Sequence, residues 1–185
     1  MNGRELVIGV TGGIAAYKTA TLVSRLAQAG AGVSVVMTHS ARKFVGRSTF
    51  AALTGRPVHT ELWDETAHPL GPHIMLAQQA ELLCIAPATA NLLAKAALGV
   101  ADDLLSTLVL AFDGPVLLAP AMNCQMWEKP AVQRNLVRLR EDGFHLVGPA
   151  EGWLSCRQRG IGRMADPDEI HATIESILVA AKPSS

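Results

Sequence analysis

The residue of this chain that most clearly suggests chemistry is Asn123, an amide at the end of a predicted buried strand. Its neighbours Met122, Met126 and Trp127 are soft and apolar, which is unusual for a surface loop. Small-molecule sites are typically apolar with a few well-placed polar groups that give them specificity. The sequence therefore predicts a small-molecule site around Asn123.

The other two candidates for chemistry are a histidine and a cysteine. His73 opens a predicted helix after Gly71-Pro72, and the residues alone leave open whether it acts in a site or lies in a surface loop. Cys156 lies in a polar, glycine-rich segment with three arginines close by. Such a cysteine exchanges protons readily, because neighbouring cations favour the thiolate. Residues 150–165 are predicted to lack regular structure, and this segment is long enough to be a lid over a site.

The remaining cysteines and histidines indicate neither a metal site nor disulfides. No pair has the spacing of a metal-binding motif such as H-E-x-x-H or C-x-x-C, so we expect no metal. Cys84 lies inside a predicted strand and is expected to be an inert core residue, while nothing assigns a role to Cys124. The odd count of three cysteines predicts reduced thiols and a cytoplasmic protein.

Gly12-Gly13-Ile14, between the first predicted strand and the first predicted helix, is a candidate phosphate site. Glycines let the backbone approach an anion, and a helix N-terminus offers free N–H groups. Tyr17 stands where a Walker A loop needs its second glycine, and no G-x-G-x-x-G occurs, so neither triphosphate hydrolysis nor a dinucleotide site is supported. A single phosphate fits this turn together with the hydroxyls of Thr38 and Ser40, which follow the next strand.

A second candidate ligand contact is the segment Pro87-Ala88-Thr89-Ala90-Asn91, which follows another predicted strand. Its small residues permit close contact with a flat ligand, and its threonine and asparagine offer directional hydrogen bonds. The alternative is an ordinary helix start with Thr89 as the N-cap. The segment by itself does not decide between the two interpretations.

The composition indicates one globular domain. The chain has 185 residues, of which 49% are apolar and 17% charged, and its formal net charge is zero. It lacks the basic footprint of proteins that bind nucleic acid or anionic membranes, and no apolar run reaches the ~18 residues of a membrane-spanning helix. We expect a single domain over residues 1–182, with 183–185 as a tail.

Short apolar runs alternate with helical patterns along the whole chain. The predicted strands are residues 6–11, 33–37, 82–86, 116–118 and 145–147, and residues 57–72 are predicted to be mostly loop. The predicted helices are residues 14–28, 41–45, 48–53, 74–79, 89–98, 103–112, 130–142 and 167–181. Asp102 is predicted to cap the helix at 103–112, and Asp166 the helix at 167–181. This alternation predicts an α/β fold with one doubly wound, Rossmann-like parallel sheet covered by helices on both faces.

The stretch from Ala86 to Ala121 is poor in charge, although it contains two consecutive predicted helices. Apolar patches beyond a few hundred Å2 are unusual on the surface of monomers. We therefore expect an oligomer interface in this stretch. The alternative is that both helices are central and buried.

Five blocks of residues, in this order along the chain, resemble the homo-oligomeric flavin-containing cysteine decarboxylases. The resemblance covers almost the whole chain, starting at the turn between Gly9 and Lys18. The blocks are Gly71-Pro72-His73-Ile74, Pro87-Ala88-Thr89-Ala90-Asn91, Gly99-Val100-Ala101-Asp102-Asp103-Leu104, Pro120-Ala121-Met122-Asn123 with Met126-Trp127, and Gly152-Trp153-Leu154-Ser155-Cys156 with Gly160-Ile161-Gly162-Arg163-Met164.

The resemblance implies FMN bound between the subunits of a homotrimer, with trimers of some members assembled into dodecamers. It also implies that His73 is the active-site base, that Asn123 binds the substrate carboxylate and that Cys156 donates a proton from a mobile substrate flap at about residues 150–165. Further substrate contacts would be Met126, Arg163 and Met164. The residues implied to bind the flavin are Gly12, Gly13, Ile14, Thr38, Ser40, Phe44, Ala88, Thr89, Ala90, Asn91 and Met122.

The activity that the resemblance implies is FMN-dependent decarboxylation of 4′-phosphopantothenoylcysteine to 4′-phosphopantetheine in coenzyme A synthesis, by a carboxy-lyase. The cysteine unit would be oxidised to a thioaldehyde, lose CO2 and be reduced again from an enethiol. A separate ligase that joins phosphopantothenate to cysteine is a candidate partner. Two alternatives stay open: a peptidyl-cysteine decarboxylase acting on a precursor peptide, and a non-catalytic flavin-binding regulatory subunit.

Overall fold

The structure is a computed structural model that describes residues 1–63, 71–155 and 157–181. Its main-sheet strands are Glu5–Val10 (β1), Gly32–Met37 (β2), Val58–His59 (β3), Leu82–Ala88 (β4), Val116–Pro120 (β5) and His145–Leu146 (β6). Among the described residues these six strands form one sheet in the order β3-β2-β1-β4-β5-β6, and every neighbouring pair is parallel.

Helices connect these strands, and a small second sheet follows the last of them. The helices are Ala16–Gln28 (α1), Arg47–Thr54 (α2), Pro72–Gln79 (α3), Ala90–Leu98 (α4), Leu104–Ala111 (α5), Cys124–Trp127 (α6), Pro130–Glu141 (α7) and Pro167–Ala180 (α8), with a 3-10 turn at Ala41–Lys43. The second sheet is an antiparallel hairpin of Ala150–Trp153 (β7) and Arg159–Arg163 (β8).

Alternate side chains of the main strands pack into two apolar cores, one on each face of the sheet. In β1, Leu6, Ile8 and Val10 join the core under α1, α2 and α8, whereas Val7 joins the core under α3, α4, α5 and α7. This follows from the period of two along a strand, which sends successive side chains to opposite faces. The predicted doubly wound, Rossmann-like sheet with helices on both faces is confirmed.

The strand order reverses its direction between β1 and β4. The chain moves outward from β1 to β2 and β3, then returns to the other side of β1 for β4, β5 and β6. At such a reversal the loops that leave the two central strands diverge to opposite faces and open a crevice at their carboxyl ends, which is where ligands bind in open α/β sheets. Here the two loops are those following β1 and β4.

One prediction about regular structure is wrong, and two short elements were not predicted. Residues 57–72 were predicted to be mostly loop, and their described part contains only the two-residue edge strand β3 before α3 begins; residues 64–70 lie outside the described part of the chain. The segment Cys124–Trp127 is a helix that periodicity did not indicate, since it is one turn long. Residues 150–165 were expected to lack regular structure, but most of them form the hairpin of β7 and β8, whose exposed, glycine-rich strands carry no clear apolar alternation.

Of the two predicted aspartate caps, Asp102 is wrong, and Asp166 is right in position but not in its bonding. Asp103, not Asp102, caps α5, because its carboxylate accepts a 2.8 Å hydrogen bond from the Ser106 N–H while the Ser106 hydroxyl accepts from the Asp103 N–H. Such a reciprocal cap stabilises a helix by about 1 kcal/mol. Asp166 precedes α8 but makes no capping bond, since its carboxylate is engaged by Lys18 and Arg163.

Cys84 is fully buried in β4, as expected of an inert core residue. Burial raises the pKa of its thiol from 9.0 to about 12, because a buried thiolate loses its hydration. The neutral thiol therefore stabilises the fold at pH values below the unfolded pKa, and this contribution is lost as the pH rises from 9.0 towards 12. We expect iodoacetamide to alkylate native Cys84 on the order of a thousandfold more slowly than the unfolded chain at mildly alkaline pH.

Peptide mass spectrometry after a timed pulse of the reagent measures this protection. Cys124, which is half-buried, serves as the comparison in the same sample. Equal alkylation of the two thiols in the native protein would contradict the assignment.

No described helix has both the length and the apolar character needed to cross a bilayer. Within the same residues, histidine, cysteine and carboxylate side chains do not come together in any group of three that could hold a metal ion.

Candidate functional site

The carboxyl ends of β1 and β4 are joined by a buried threonine. The Thr11 hydroxyl donates a 2.6 Å hydrogen bond to the Pro87 carbonyl and accepts one of 3.2 Å from the Thr89 N–H. In the first turn of α1, the Thr19 hydroxyl donates to the Ala86 carbonyl over 2.7 Å. Because these bonds join the end of β1 and the start of α1 to residues of β4 that are 76 and 67 positions away in the chain, they hold the two sides of the crevice together.

The glycine turn after β1 packs tightly between the two candidate ligand segments. A Cβ on Gly12 would lie 2.3 Å from the Ser40 Cβ, and one on Gly13 would lie 3.6 Å from the Thr89 methyl. Among the described residues, the N–H groups of Ile14 and Ala15 donate to no backbone carbonyl. Free N–H groups at the start of α1, a helix of 13 residues, are suited to an anion.

Asn123 is held in one orientation by the helix that it begins. Its Oδ1 accepts a 2.7 Å hydrogen bond from the Gln125 N–H, so the side chain caps α6. Because a backbone N–H requires an acceptor, this bond assigns the amide oxygen to the cap and leaves the NH2 group as a donor. The amide NH2 is the group that can bind a carboxylate.

The hairpin is attached to the Asn123 loop by a backbone contact that requires a glycine. The Met122 N–H donates a 2.9 Å hydrogen bond to the Gly162 carbonyl. A Cβ on Gly162 would lie 2.2 Å from the Met122 carbonyl oxygen, and the φ of Gly162 is 151°. The hairpin therefore lies directly over the loop that carries Asn123.

A cavity of about 540 Å3 lies between these elements, at the carboxyl ends of β1, β4 and β5. Its lining is formed by Gly12, Gly13, Ile14, Ala15, Tyr17, Lys18, Thr89, Ala90, Ala121, Met122, Asn123, Met126, Trp153, Leu154, Ser155, Gly162, Arg163 and Met164. Two other cavities, of about 560 and 630 Å3, lie along α7 and around the ends of α4 and α5, and no residue predicted to do chemistry lines them.

One wall of the cavity carries two cations that share a carboxylate. Asp166 lies 3.1 Å from Lys18 Nζ through its Oδ1 and 3.4 Å from Arg163 Nη2 through its Oδ2. The hydrogen bond from Lys18, with the attraction of its charge, lowers the pKa of Asp166 below its ordinary value. Asp166 is therefore ionised near neutral pH, and the wall keeps one positive charge in excess.

Comparison with known proteins identifies the family. A model of the family described as Flavoprotein matches residues 1–179. The chain belongs to the flavoprotein family. This explains the cavity at the strand reversal, with its glycine turn, small residues and ordered amide.

Curated relatives of this flavoprotein are bifunctional proteins of coenzyme A biosynthesis named CoaBC. The chain is 46% identical to that of Bacillus subtilis over 170 residues, which are 92% of this chain and 42% of the relative. It is 47% identical to that of Vibrio cholerae over 174 residues, 94% of this chain and 44% of the relative. The chain thus spans less than half of the length of the relatives it matches.

Solved structures with the same fold include two decarboxylases. SpaF, described as an FMN-dependent cysteine decarboxylase, superposes with a TM-score of 0.84 at 38% identity, covering 97% of both chains. A mutant PPC decarboxylase complexed with pantothenoylaminoethenethiol has a TM-score of 0.84 at 31% identity, covering 94% of this chain and 97% of the other. The flavoprotein fold inferred from the sequence is thereby confirmed.

Most residues predicted for the site line the cavity of this flavoprotein. Those that do are Gly12, Gly13, Ile14, Thr89, Ala90, Met122, Asn123, Met126, Arg163 and Met164. Ser40 does not line the cavity but packs against Gly12. Thr38 does not line it either, and its hydroxyl accepts a 3.3 Å hydrogen bond from the Ala41 N–H. Of the other predicted flavin contacts, Ala88 is fully buried, whereas Phe44 and Asn91 are exposed.

The structure separates His73 from Asn123. His73 lies at the start of α3 and does not line the cavity, and its Nδ1 is buried without a hydrogen-bond partner among the described residues. Gly71, with a φ of 88°, leaves room for the imidazole, since a Cβ there would lie 3.0 Å from the His73 Cε1. Cys156, the predicted proton donor, lies outside the described residues.

Several residues of the site were missed by the sequence analysis. Thr11 and Lys18 have their roles through partners far along the chain, Pro87 and Asp166, so that no local spacing indicates them. Trp153 and Tyr17 line the cavity while 69% and 58% exposed. Large exposed aromatic side chains beside a cavity are the signal by which a ligand or partner surface is recognised.

We expect Gly162→Ala to destabilise the protein by about 2 kcal/mol or more, because the new methyl group would overlap the Met122 carbonyl. Circular dichroism during thermal unfolding measures the loss. Gly46→Ala is the matched control, since Gly46 has a φ of −74° and open space where a Cβ would point. Equal stability losses in the two variants would show that the contact between hairpin and loop is unimportant.

Proposed function

We propose that this flavoprotein binds FMN and decarboxylates 4′-phosphopantothenoylcysteine to 4′-phosphopantetheine. The observation that carries the proposal is the Asn123 NH2 group, held as a free donor in the cavity that begins at the glycine turn. The identity of 46–47% to CoaBC proteins of coenzyme A biosynthesis supports the choice of substrate.

The residues present fit FMN. The free N–H groups of Ile14 and Ala15 suit its phosphate, and the small side chains of Thr89 and Ala90 leave room for a flat ring. Bound FMN would supply reversible two-electron oxidation, which no amino-acid side chain provides. Resemblance to structures described as FMN-dependent cysteine decarboxylases supports this choice of flavin.

Side chains of this chain would position the substrate and move its protons. The Asn123 NH2 would donate to the substrate carboxylate until CO2 leaves, while Met126 and Met164 line the cavity and exclude water. His73 would accept a proton from the cysteine unit, and Cys156 would return one to the product. The hairpin, with its predicted flap role, would close over the bound substrate.

We propose that the protein is cytoplasmic and forms a homotrimer, with a dodecamer of four trimers as a further assembly. The trimer is proposed because a single chain leaves the site incomplete. His73 does not line the cavity that contains Asn123, which is the arrangement expected when a neighbouring subunit supplies the histidine. Large apolar side chains around the ends of α4 and α5 are exposed in one chain: Leu98, Val100 and Leu110. A ligase activity that joins phosphopantothenate to cysteine would supply the substrate.

The test is to load the purified protein with FMN and supply 4′-phosphopantothenoylcysteine. We expect CO2 release and 4′-phosphopantetheine in equal amounts, both followed by mass spectrometry. A colourless protein that cannot be reconstituted with FMN, or a yellow one that releases no CO2, would contradict the proposal; the latter would favour a flavin-binding regulatory subunit.

A second candidate is a peptidyl-cysteine decarboxylase. It is suggested by the 38% identity, over 97% of both chains, to SpaF, which is described as a cysteine decarboxylase and not as an enzyme of coenzyme A biosynthesis. The same assay with peptides ending in cysteine distinguishes the two, because each candidate predicts turnover of one substrate class in preference to the other.

A further inference from the structure

Two ion pairs connect α1 to the start of α8, but they lie in different surroundings. Lys18 pairs with Asp166 and Arg25 pairs with Asp168. Lys18 lines the cavity and its side chain is 18% exposed, whereas Arg25 does not line the cavity and its side chain is 40% exposed. The pair of Arg25 and Asp168, called the outer pair here, is enough to link the two helices. The inner pair of Lys18 and Asp166 is therefore expected to have a further role.

Asp166 of the inner pair also binds a second cation, Arg163, which the hairpin holds in place independently of Lys18. Arg163 lies across Gly152 of β7, whose missing side chain leaves the guanidinium room, with Arg163 Nε 3.3 Å from where a Cβ would be. Its Nη2 reaches Asp166, the carboxylate that also binds Lys18. Lys18 and Arg163 therefore pair with the same carboxylate, and both line the same cavity.

This wall has the composition of an anion subsite rather than that of a neutral ion pair. Two cations share one carboxylate, so one positive charge is left without a counterion in the described part of the cavity wall. The free N–H groups at Ile14 and Ala15 form a different anion position, at the start of α1. An ammonium and a guanidinium together suit the several oxygens of a phosphate monoester.

We infer that Lys18 and Arg163 bind a phosphate monoester, that of the substrate, with Asp166 positioning both cations. The inference rests on the proposed function for the identity of the molecule that carries the phosphate. The other possible source is the phosphate of the flavin. The substrate is the better match, because Arg163 belongs to the hairpin that covers Asn123, and the glycine turn already offers donors to the flavin.

Lys18→Met tests this assignment by calorimetry with the product and its dephosphorylated form, in the FMN-loaded protein. We expect the Kd of 4′-phosphopantetheine to rise about tenfold, as for the loss of one charge-assisted hydrogen bond, and that of pantetheine to stay the same. Lys18→Arg, which keeps the charge, should restore most of the affinity. Arg25→Met is the matched control, since it breaks the outer ion pair between the same two helices, and it should change neither Kd.

Three results would overturn the inference. One is an equal loss of affinity for both ligands in Lys18→Met, which would mean that Lys18 acts through the fold. Another is the same phosphate-selective loss in Arg25→Met. The third is a weakened binding of FMN relative to riboflavin in the Lys18→Met apoprotein, which would assign the phosphate to the flavin and not to the substrate.

These measurements are separate from the test of the proposed function. A wild-type protein that releases no CO2 would fail as a decarboxylase, yet it could still prefer 4′-phosphopantetheine to pantetheine through Lys18. A wild-type protein that turns over the substrate but binds 4′-phosphopantetheine and pantetheine equally well would support the proposed function and contradict the phosphate subsite.

Discussion

Asn123→Asp is expected to leave the fold and the flavin in place and to lower kcat/KM for decarboxylation by at least about a thousandfold. The aspartate keeps an oxygen for the Gln125 N–H and therefore still caps α6. It loses the NH2 donor and places a negative charge opposite the substrate carboxylate. Both changes act on the bound substrate, since the flavin contacts proposed here lie on other residues.

Steady-state kinetics, with the visible spectrum and the thermal midpoint of each variant, measures this effect. Asn123→Ala removes the cap as well as the donor, so it should be less stable than Asn123→Asp by about 1 kcal/mol. The difference between the two variants separates the structural role of the side chain from its role with the substrate. Wild-type turnover in Asn123→Asp would mean that another group binds the carboxylate.

His73→Asn should retain the yellow flavin and lose decarboxylation by a factor of about 10² to 10⁴, the usual contribution of a general base. The Nδ1 of His73 is buried with no partner among the described residues, so its replacement breaks no hydrogen bond that the structure records. An asparagine can still donate and accept hydrogen bonds but cannot take up a proton near neutral pH. Activity should therefore fall without a comparable loss of stability.

His145→Asn is the control for this variant, because His145 is an exposed histidine in the edge strand β6. Its turnover should equal that of the wild type. Mixing subunits sharpens the test: if the histidine acts on the site of a neighbouring subunit, His73→Asn and Asn123→Asp chains should form mixed oligomers with partial activity. Normal turnover by pure His73→Asn would remove the assignment of the base.

The predictions from sequence were accurate where burial leaves a regular pattern in the chain. β1 was expected at residues 6–11 and is found at Glu5–Val10, and α1 was expected at 14–28 and is found at Ala16–Gln28. Both elements bury one side or both sides completely, so their apolar residues recur at the period of the backbone. The glycine turn and Asn123 could be recognised because they follow such elements directly.

The predictions failed where a residue's role depends on a distant partner. Asp166 stands in a cap position, but its carboxylate pairs with Lys18, 148 residues away in the chain. The hairpin was interpreted as an irregular loop because β7 and β8 are mostly exposed and contain glycines, so their pairing leaves no apolar alternation. Thr11 was overlooked for the same reason, since its partner is Pro87.

The sequence by itself determined the α/β class, the order of the elements and the residues that end each strand, because these depend on local periodicity and turn chemistry. Only the tertiary structure decided which strands are neighbours, and thus that the turn after β1 faces the end of β4. It also decided that Lys18, Arg163 and Asp166 meet at the cavity. Pairing between distant segments depends on the free energy of the whole packed chain, which no short stretch of residues contains.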